Sequence, residues 1–223
     1  MVKIGTVTIG QSPRTDVVPE MEPILGKGVQ IVQAGALDGL TKEEMRALAP
    51  EEGGTLLVSR LRDGSWVRLE EEKILPLMQK QIRRLEEEGV SLTAILCTGS
   101  FPDTLTANGV LLFPQNIMYG VVPQLTVSGQ IAVIAPEEGQ LEQVAQKWEA
   151  CGCRAQVVSA NPYAGIEPVI EAAKRLAGTS AEIVVLDCIG YHQAMKEAVR
   201  QITGKPVVLP RTLLARIISE MVL

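Results

Sequence analysis

Two short apolar runs, each followed by a cysteine, constrain the fold more than any other feature of the sequence. Leu92–Leu96 precedes Cys97 in the first half of the chain, and Ile183–Leu186 precedes Asp187 and Cys188 in the second half. Both runs are too short for helices and predict buried strands. Open α/β sheets bind ligands at the carboxyl ends of their strands, so both thiols are candidates for one site. Alternatively, each cysteine is a small buried hydrophobic side chain, as most free cysteines are.

Alternating strand and helix patterns fill the rest of the chain. Further apolar runs predict strands at Val2–Ile9, Val29–Val32, Gln130–Ala135 and Arg154–Val158. Longer helical patterns separate these runs, which is typical of parallel sheets covered by helices on both faces. Because the pattern restarts near residue 130, we predict an α/β fold of two pseudo-symmetric, Rossmann-like lobes with a cleft between them.

Two local patterns refine this architecture. Asp63-Gly64 lies between two strand-like runs and predicts a β-hairpin insertion near residues 55–69. The last strand, Val207–Leu209, and the helix after it are predicted to return to the first lobe, with the strand joining the sheet that contains Ile4–Ile9. The first lobe is then predicted to comprise residues 1–114 and 208–223, and the second lobe residues 115–207.

Composition and charge exclude several classes of protein. The chain has 223 residues, a formal net charge of −5 and only scattered basic residues, so it lacks the charge pattern of a nucleic-acid-binding protein. No apolar stretch approaches the roughly 18 residues of a membrane span. The amino terminus enters a strand pattern directly, without a signal peptide, so we expect a cytoplasmic protein with no membrane or nucleic-acid partner. Whether the chain forms a homodimer is a question that the sequence leaves open.

Cysteine usage and missing motifs narrow the chemistry further. Four cysteines in a chain of this kind predict reduced thiols, and Cys151 and Cys153 lack the second ligand pair of a zinc site. No Walker A, Gly-x-Gly-x-x-Gly or Gly-x-Ser-x-Gly motif follows a strand, which disfavours nucleotide enzymes and the common serine hydrolases. We therefore expect no nucleotide cofactor and no metal.

Loops at predicted strand ends carry the candidate binding residues. Gln11, Ser12 and Arg14 precede a helix, where N–H groups and a guanidinium are suited to hold a carboxylate. A plain capping turn with Arg14 in solvent is the alternative. The Pro-Arg-Thr sequence recurs before the last helix and makes Arg211 a second candidate.

Two further side chains are candidates near the cleft. Tyr163 closes another strand and offers a hydroxyl, although the residues around it also suit an ordinary turn. His192 is the only histidine, four residues past Cys188, and is either an acid/base partner of that thiol or a surface histidine.

The motifs together resemble a known family. Thr6–Asp16, Leu96–Gly99 and Leu186–Tyr191 are similar to the AroM family, which belongs to the aspartate/glutamate racemase superfamily, and the resemblance covers nearly the whole chain. It implies two facing lobes with Cys97 and Cys188 on opposite sides of a substrate. In that superfamily the two thiols remove and return an α-proton without a cofactor.

The sequence thus predicts a cofactor-independent racemase or isomerase acting on a small carboxylate or amino-acid-like substrate. Cys97 and Cys188 are the predicted acid/base pair. Their Cα atoms are predicted to lie farther apart than the roughly 7 Å at which a disulfide can form. The predicted substrate-binding residues are Gln11, Ser12, Arg14, Thr98, Tyr163, His192 and Arg211.

Two rival functions stay open. A carboxylate-binding or sensing protein that keeps the cleft without catalysis is favoured by Gln11-Ser12, because glutamate racemases carry Asp-Ser there. The second rival is a purely structural interaction module. It is disfavoured, because the polar loops at the strand ends would then have no role.

Overall fold

The computed structural model describes residues 1–222, which form the predicted α/β fold. The strands are β1 (Val2–Thr8), β2 (Val29–Gly35), β3 (Leu56–Arg60), β4 (Trp66–Glu70), β5 (Leu92–Ile95), β6 (Val110–Leu112), β7 (Gln130–Ala135), β8 (Arg154–Ser159), β9 (Ile183–Leu186) and β10 (Val207–Val208). The α-helices are α1 (Val18–Leu25), α2 (Lys42–Ala47), α3 (Glu71–Glu87), α4 (Pro114–Val121), α5 (Leu141–Ala150), α6 (Glu167–Leu176), α7 (Gln193–Thr203) and α8 (Pro210–Val222).

Two parallel sheets with equivalent strand orders confirm the predicted pair of pseudo-symmetric lobes. The first sheet runs β2-β1-β5-β6 and the second runs β8-β7-β9-β10. The strands that precede the two cysteines, β5 and β9, therefore occupy the same position in their sheets. Residues of β1, β5, β7 and β9 are buried on both faces because helices cover both sides of each sheet.

The predicted hairpin is confirmed as a two-stranded unit outside both sheets. Strands β3 and β4 pair antiparallel, with Arg60 opposite Trp66, and Asp63-Gly64 lies in the turn. Gly64 has φ = 88°, a left-handed conformation that glycine adopts without the steric penalty of a side chain.

The predicted placement of the last strand is wrong. Val207 and Val208 pair with Val184 and Val185 of β9, so β10 joins the second sheet and not the sheet that contains Ile4. The physical reason is that the second lobe repeats the four-stranded sheet of the first lobe. The short β10 is the counterpart of β6, and a two-residue strand carries too little pattern to show this in the sequence. The division into residues 1–114 plus 208–223 and residues 115–207 stays a prediction.

The last helix nevertheless crosses to the first lobe. Leu214, Ala215 and Ile218 of α8 pack in one core with Met21 and Leu25 of α1. Helix α4, which follows the equivalent strand of the first lobe, makes the reverse crossing and also contacts α8. No helix within residues 1–222 is long and apolar enough to cross a membrane.

Candidate active site

Both thiols line one small cavity between the lobes. Cys97 follows β5, Cys188 follows β9, and the cavity that they share has a volume of ≈ 40 Å³. Both side chains are buried free thiols, so they are not bonded to each other. The carboxyl ends of the two equivalent strands therefore meet at one site, as parallel sheets place them.

The backbone around the two sulfurs is repeated. The N–H of Gly99 donates to Cys97 Sγ at 3.3 Å, and the N–H of Gly190 donates to Cys188 Sγ at 3.4 Å. Each glycine lies two residues after its cysteine, so the repeated geometry corresponds to a Cys-x-Gly pattern in the sequence. An N–H aimed at sulfur favours the thiolate over the thiol.

Burial keeps the two sulfurs protonated in this closed cleft. It raises the pKa of Cys97 to about 12, against the opposing effects of the Gly99 N–H and the Arg14 guanidinium. It raises the pKa of Cys188 to about 11, against the Gly190 N–H, Arg14 and the Tyr163 hydroxyl. Arg14 acts on both thiols, and it lowers both pKa values.

Arg14 is enclosed and its charge is matched by a neighbouring carboxylate. The guanidinium is 2% exposed and forms two bonds of 2.8 Å to the carboxylate of Asp16. It also donates to Thr8 Oγ1 at 3.0 Å and to the Tyr163 hydroxyl at 3.3 Å. An arginine has five N–H donors, so most of them are already used within residues 1–222. The solvent-exposed alternative for Arg14 is wrong.

Ser12 and Gln11 bind neighbouring loops. Ser12 Oγ donates to Asp38 Oδ2 at 2.5 Å, and the Ser12 N–H donates to Asp38 Oδ1 at 2.9 Å. The side-chain oxygen of Gln11 accepts from the N–H of Arg62 in the hairpin at 3.0 Å. Neither side chain lies on the wall of the thiol cavity. In this conformation, both side chains hold the first loop in place.

Thr98 and Tyr163 connect the lobes beside the thiols. Thr98 lines the cavity, and its hydroxyl donates to the backbone carbonyl of Asp187 at 3.2 Å. The ring of Tyr163 packs on Gly190, where an added Cβ would lie 2.6 Å from it. Both residues lie near the thiols, and their role in binding substrate stays a prediction.

The structure does not bring His192 and Arg211 to the cavity wall. Arg211 is fully buried and donates to the carbonyl of Ile189 at 2.8 and 3.1 Å and to the carbonyl of Asp16 at 2.5 Å. It thus fixes the loop after Cys188 from behind. His192 is half-buried at the start of α7, and burial together with Arg211 lowers its pKa.

Asp187 is a cavity residue that the sequence prediction missed. Its carboxylate is 5% exposed and accepts from Trp148 Nε1 at 3.2 Å, while Oδ1 has no partner in the described part of the chain. Burial raises its pKa to about 6. A signal was present, because an acidic residue directly after the buried run Ile183–Leu186 is costly unless it has a function or a partner.

Gln115, Gln140 and Lys147 complete the polar wall, and nothing in the sequence marked them. Gln115 is 3% exposed and donates to the Tyr119 hydroxyl at 2.6 Å. Gln140 donates to the carbonyl of Leu56 in the hairpin at 2.7 Å. The side-chain oxygens of Gln115 and Gln140 accept no hydrogen bond from any donor among residues 1–222.

The hairpin closes the cleft from the first lobe. Leu57 lies against Gly99, where an added Cβ would be 2.7 Å from its Cδ2 atom. Across the cleft mouth, Arg68 of β4 pairs with Glu137 of the second lobe at 2.9 Å. Leu56, Leu57 and Val58 of the hairpin form one wall of the cavity and narrow it.

Comparison with known proteins gives matches over the whole chain. The model of the AroM protein family matches residues 4–222. Allantoin racemase from Klebsiella pneumoniae is similar in structure, with a TM-score of 0.67 and 15% identity over 100% of this chain and 88% of that chain. Maleate isomerase from Pseudomonas putida S16 has a TM-score of 0.65 and 13% identity over 99% and 92% of the two chains. Glutamate racemase from Aquifex pyrophilus has a TM-score of 0.62 and 14% identity over 100% and 84%. No curated protein sequence matches the chain. At these identities the structural likeness establishes a shared racemase-type fold.

Proposed function

The chain belongs to the AroM family, and from this premise we propose that it is a cofactor-independent racemase or isomerase of a small carboxylate or amino-acid-like substrate. Cys97 and Cys188 are the acid/base pair. The observation that carries the proposal is that two buried thiols from equivalent strands line one cavity, each beside a glycine N–H. The racemase and isomerase neighbours support it through their fold.

The reaction is a proton transfer in two steps. One sulfur, as thiolate, takes the α-proton, so the C–H bond breaks and an S–H bond forms. The electron pair left on carbon delocalises into the adjacent carboxylate. The opposite thiol then gives its proton to the other face of that carbon, which inverts the centre. No electron leaves the substrate and no co-reactant is consumed.

The site must lower the pKa of at least one thiol when substrate is bound, since burial raises both in the closed cleft. Cys188 has one more stabilising neighbour than Cys97, because the Tyr163 hydroxyl adds to a glycine N–H and Arg14. The Gly190 N–H, Arg14 and Tyr163 stabilise negative charge on this sulfur. In a racemase each sulfur is the base toward one enantiomer, so Cys188 takes the α-proton of one enantiomer and Cys97 that of the other.

Substrate entry requires the cleft to open. A cavity of ≈ 40 Å³ holds only a few water molecules and is smaller than an organic acid. The hairpin segment Leu56–Val58 forms one wall and is attached to the second lobe by the bond from Gln140. Movement of the hairpin away from that lobe admits substrate, and its return excludes water.

The rival function is a carboxylate-binding protein without catalysis. The enclosed Arg14–Asp16 pair favours neither function, because an arginine already paired with a carboxylate is a poor ligand for a second one in an enzyme or in a binding protein. The repeated Cys-x-Gly geometry favours the enzyme, because binding alone needs no pair of thiols.

Hydrogen exchange distinguishes the two. The protein is incubated in D₂O with a panel of small chiral and unsaturated acids, and proton NMR follows loss of the α-proton or vinyl proton. We expect deuterium to enter one acid during turnover, and both Cys97→Ser and Cys188→Ser to abolish racemisation or isomerisation. Cys151→Ser, which changes a half-buried thiol outside the cavity, is the matched control and keeps activity.

Two outcomes would count against the enzyme. Thermal stabilisation by an acid without any exchange identifies the binding protein instead. Full activity in both cleft serine variants excludes the two-thiol mechanism.

A further inference from the structure

On the first-lobe side of the cleft, the described residues offer no free cation that could bind a carboxylate. Arg14 was predicted to hold the substrate's carboxylate, but Asp16 already accepts two of its N–H groups. Asp16 also neutralises its charge, and the guanidinium is 2% exposed. A second carboxylate at Arg14 must compete with this bidentate pair, which is the stronger class of charge-assisted hydrogen bond.

Lys147 is the one lysine, arginine or histidine that lines the thiol cavity in the described residues. It lies on α5, next to Trp148, which is buried and bonded to Asp187. Within residues 1–222 its ammonium forms no hydrogen bond and no ion pair of 4.0 Å or less, although the side chain is half-buried. Its surroundings include Glu71, Asp187 and Cys97 at longer range.

A half-buried ammonium without an acceptor among residues 1–222 keeps its N–H groups available to an anion. Desolvation of a charged group is costly unless a partner restores its hydrogen bonds. Burial accordingly lowers the pKa of Lys147, and the three neighbouring acidic groups oppose that effect. An anion that enters the cavity relieves this cost by accepting the unused N–H groups.

We propose that Lys147 binds the carboxylate of the substrate, the role that the sequence predicts for Arg14. This inference rests on the proposed function for the identity of the ligand as a small acid. It assigns the carboxylate to the second-lobe wall, beside Gln115 and Asp187, and leaves Arg14 to stabilise negative charge on the sulfurs. Lys147 is then a binding residue that contacts the substrate.

The chemistry gives the same residue a larger effect during the reaction. When the α-proton leaves, negative charge moves from carbon onto the carboxylate oxygens. A fixed ammonium beside those oxygens stabilises this charge more strongly than the charge of the ground state. The placement therefore predicts that Lys147 contributes to the rate as well as to affinity.

Alkylation of the cleft thiols tests the assignment without knowledge of the natural substrate. Iodoacetate carries a carboxylate, and iodoacetamide is a neutral reagent of nearly the same shape. Both transfer a two-carbon group to sulfur with release of iodide, and peptide mass spectrometry reports the rate at each cysteine. The measured quantity is the iodoacetate-to-iodoacetamide rate ratio at Cys97 and Cys188, with half-buried Cys151 as internal reference.

We expect this ratio to be higher at a cleft thiol than at Cys151 in the wild type. Lys147→Gln should lower it roughly 10- to 100-fold, the range for one charged hydrogen bond. Lys147→Arg should restore much of it, because the cation remains. The matched control is Lys174→Gln, which changes an exposed lysine of α6, the next helix along the chain, and should leave the ratio unchanged.

The remaining outcomes overturn the assignment. An unchanged ratio in Lys147→Gln, with the thiols still reactive, shows that another group recognises the carboxylate. An iodoacetate-to-iodoacetamide ratio that is no higher at either cleft thiol than at Cys151 in the wild type shows that the cleft does not select a carboxylate. The proposed catalytic function can fail separately, because absence of deuterium exchange with intact carboxylate selectivity leaves Lys147 as the anchor of a binding protein.

Discussion

Asp187→Asn is expected to change the pH dependence of stability. Asp187 is a buried carboxylic acid with one bond, from Trp148, and one unpartnered oxygen within residues 1–222. Burial raises its pKa from 3.8 to about 6. Asparagine has nearly the same shape and still accepts from Trp148, but it cannot ionise.

The magnitude follows from proton linkage. The folded state binds the proton more tightly than the unfolded state, so the stabilisation is fully present below pH 3.8 and is lost as the pH rises to about 6. The difference between the two pKa values corresponds to about 3 kcal/mol in total. About half of this loss, roughly 1.5 kcal/mol, falls between pH 5 and pH 8.

Urea unfolding at pH 5 and pH 8 measures the effect. We expect the wild type to lose about 1.5 kcal/mol more free energy of unfolding over this interval than Asp187→Asn does. Other titrating groups act in both proteins and cancel in this difference. Asp103→Asn, at an exposed position, is the control and should follow the wild type. Parallel losses in wild type and Asp187→Asn would refute the reasoning, since Asp187 would then titrate alike in both states.

Two smaller changes test the walls of the cleft. Gly190→Ala places a Cβ 2.6 Å from the Tyr163 ring and should cost about 1–3 kcal/mol in free energy of unfolding by overpacking, whereas Gly120→Ala, with open space around it, should be neutral or stabilising. Equal stability of the two variants in urea unfolding would contradict this packing. Glu137→Gln removes the ion pair with Arg68 and should speed iodoacetamide labelling of the cleft thiols up to roughly 5-fold, since such exposed pairs contribute about 1 kcal/mol or less. An unchanged labelling rate would mean that the hairpin does not gate access.

Local patterns made the fold predictable from the sequence. The runs before Cys97 and Cys188 are short, apolar and repeated, and Asp63-Gly64 is a turn signal that acts through its own backbone. These features depend on neighbouring residues alone. The position of Val207–Val208 depends on a pairing with Val184–Val185, which a two-residue strand does not encode locally.

The candidate site was predictable only in part, for a similar reason. The thiols and Thr98 follow directly from strand ends. The surroundings of Arg211 depend on a carbonyl at Ile189, and those of Arg14 depend on how its loop folds back on Asp16. Lys147 lies on one face of a helix, and the sequence does not say that this face borders the cleft.

The way the lobes are joined indicates where the cleft opens. At the far crossing, Leu214 and Ile218 of α8 are buried in the first-lobe core, and Met118 of α4 is buried in the second-lobe core. Exposing one such side chain costs about 1.5–3 kcal/mol, so separation along these helices is expensive. At the cleft mouth the contacts are polar and few. The Arg68–Glu137 pair and the bond from Gln140 to the hairpin contribute about 1 kcal/mol each. We therefore expect thermal motion to open the molecule at the hairpin while the crossed helices hold, so that the two thiols keep their alignment when a ligand enters.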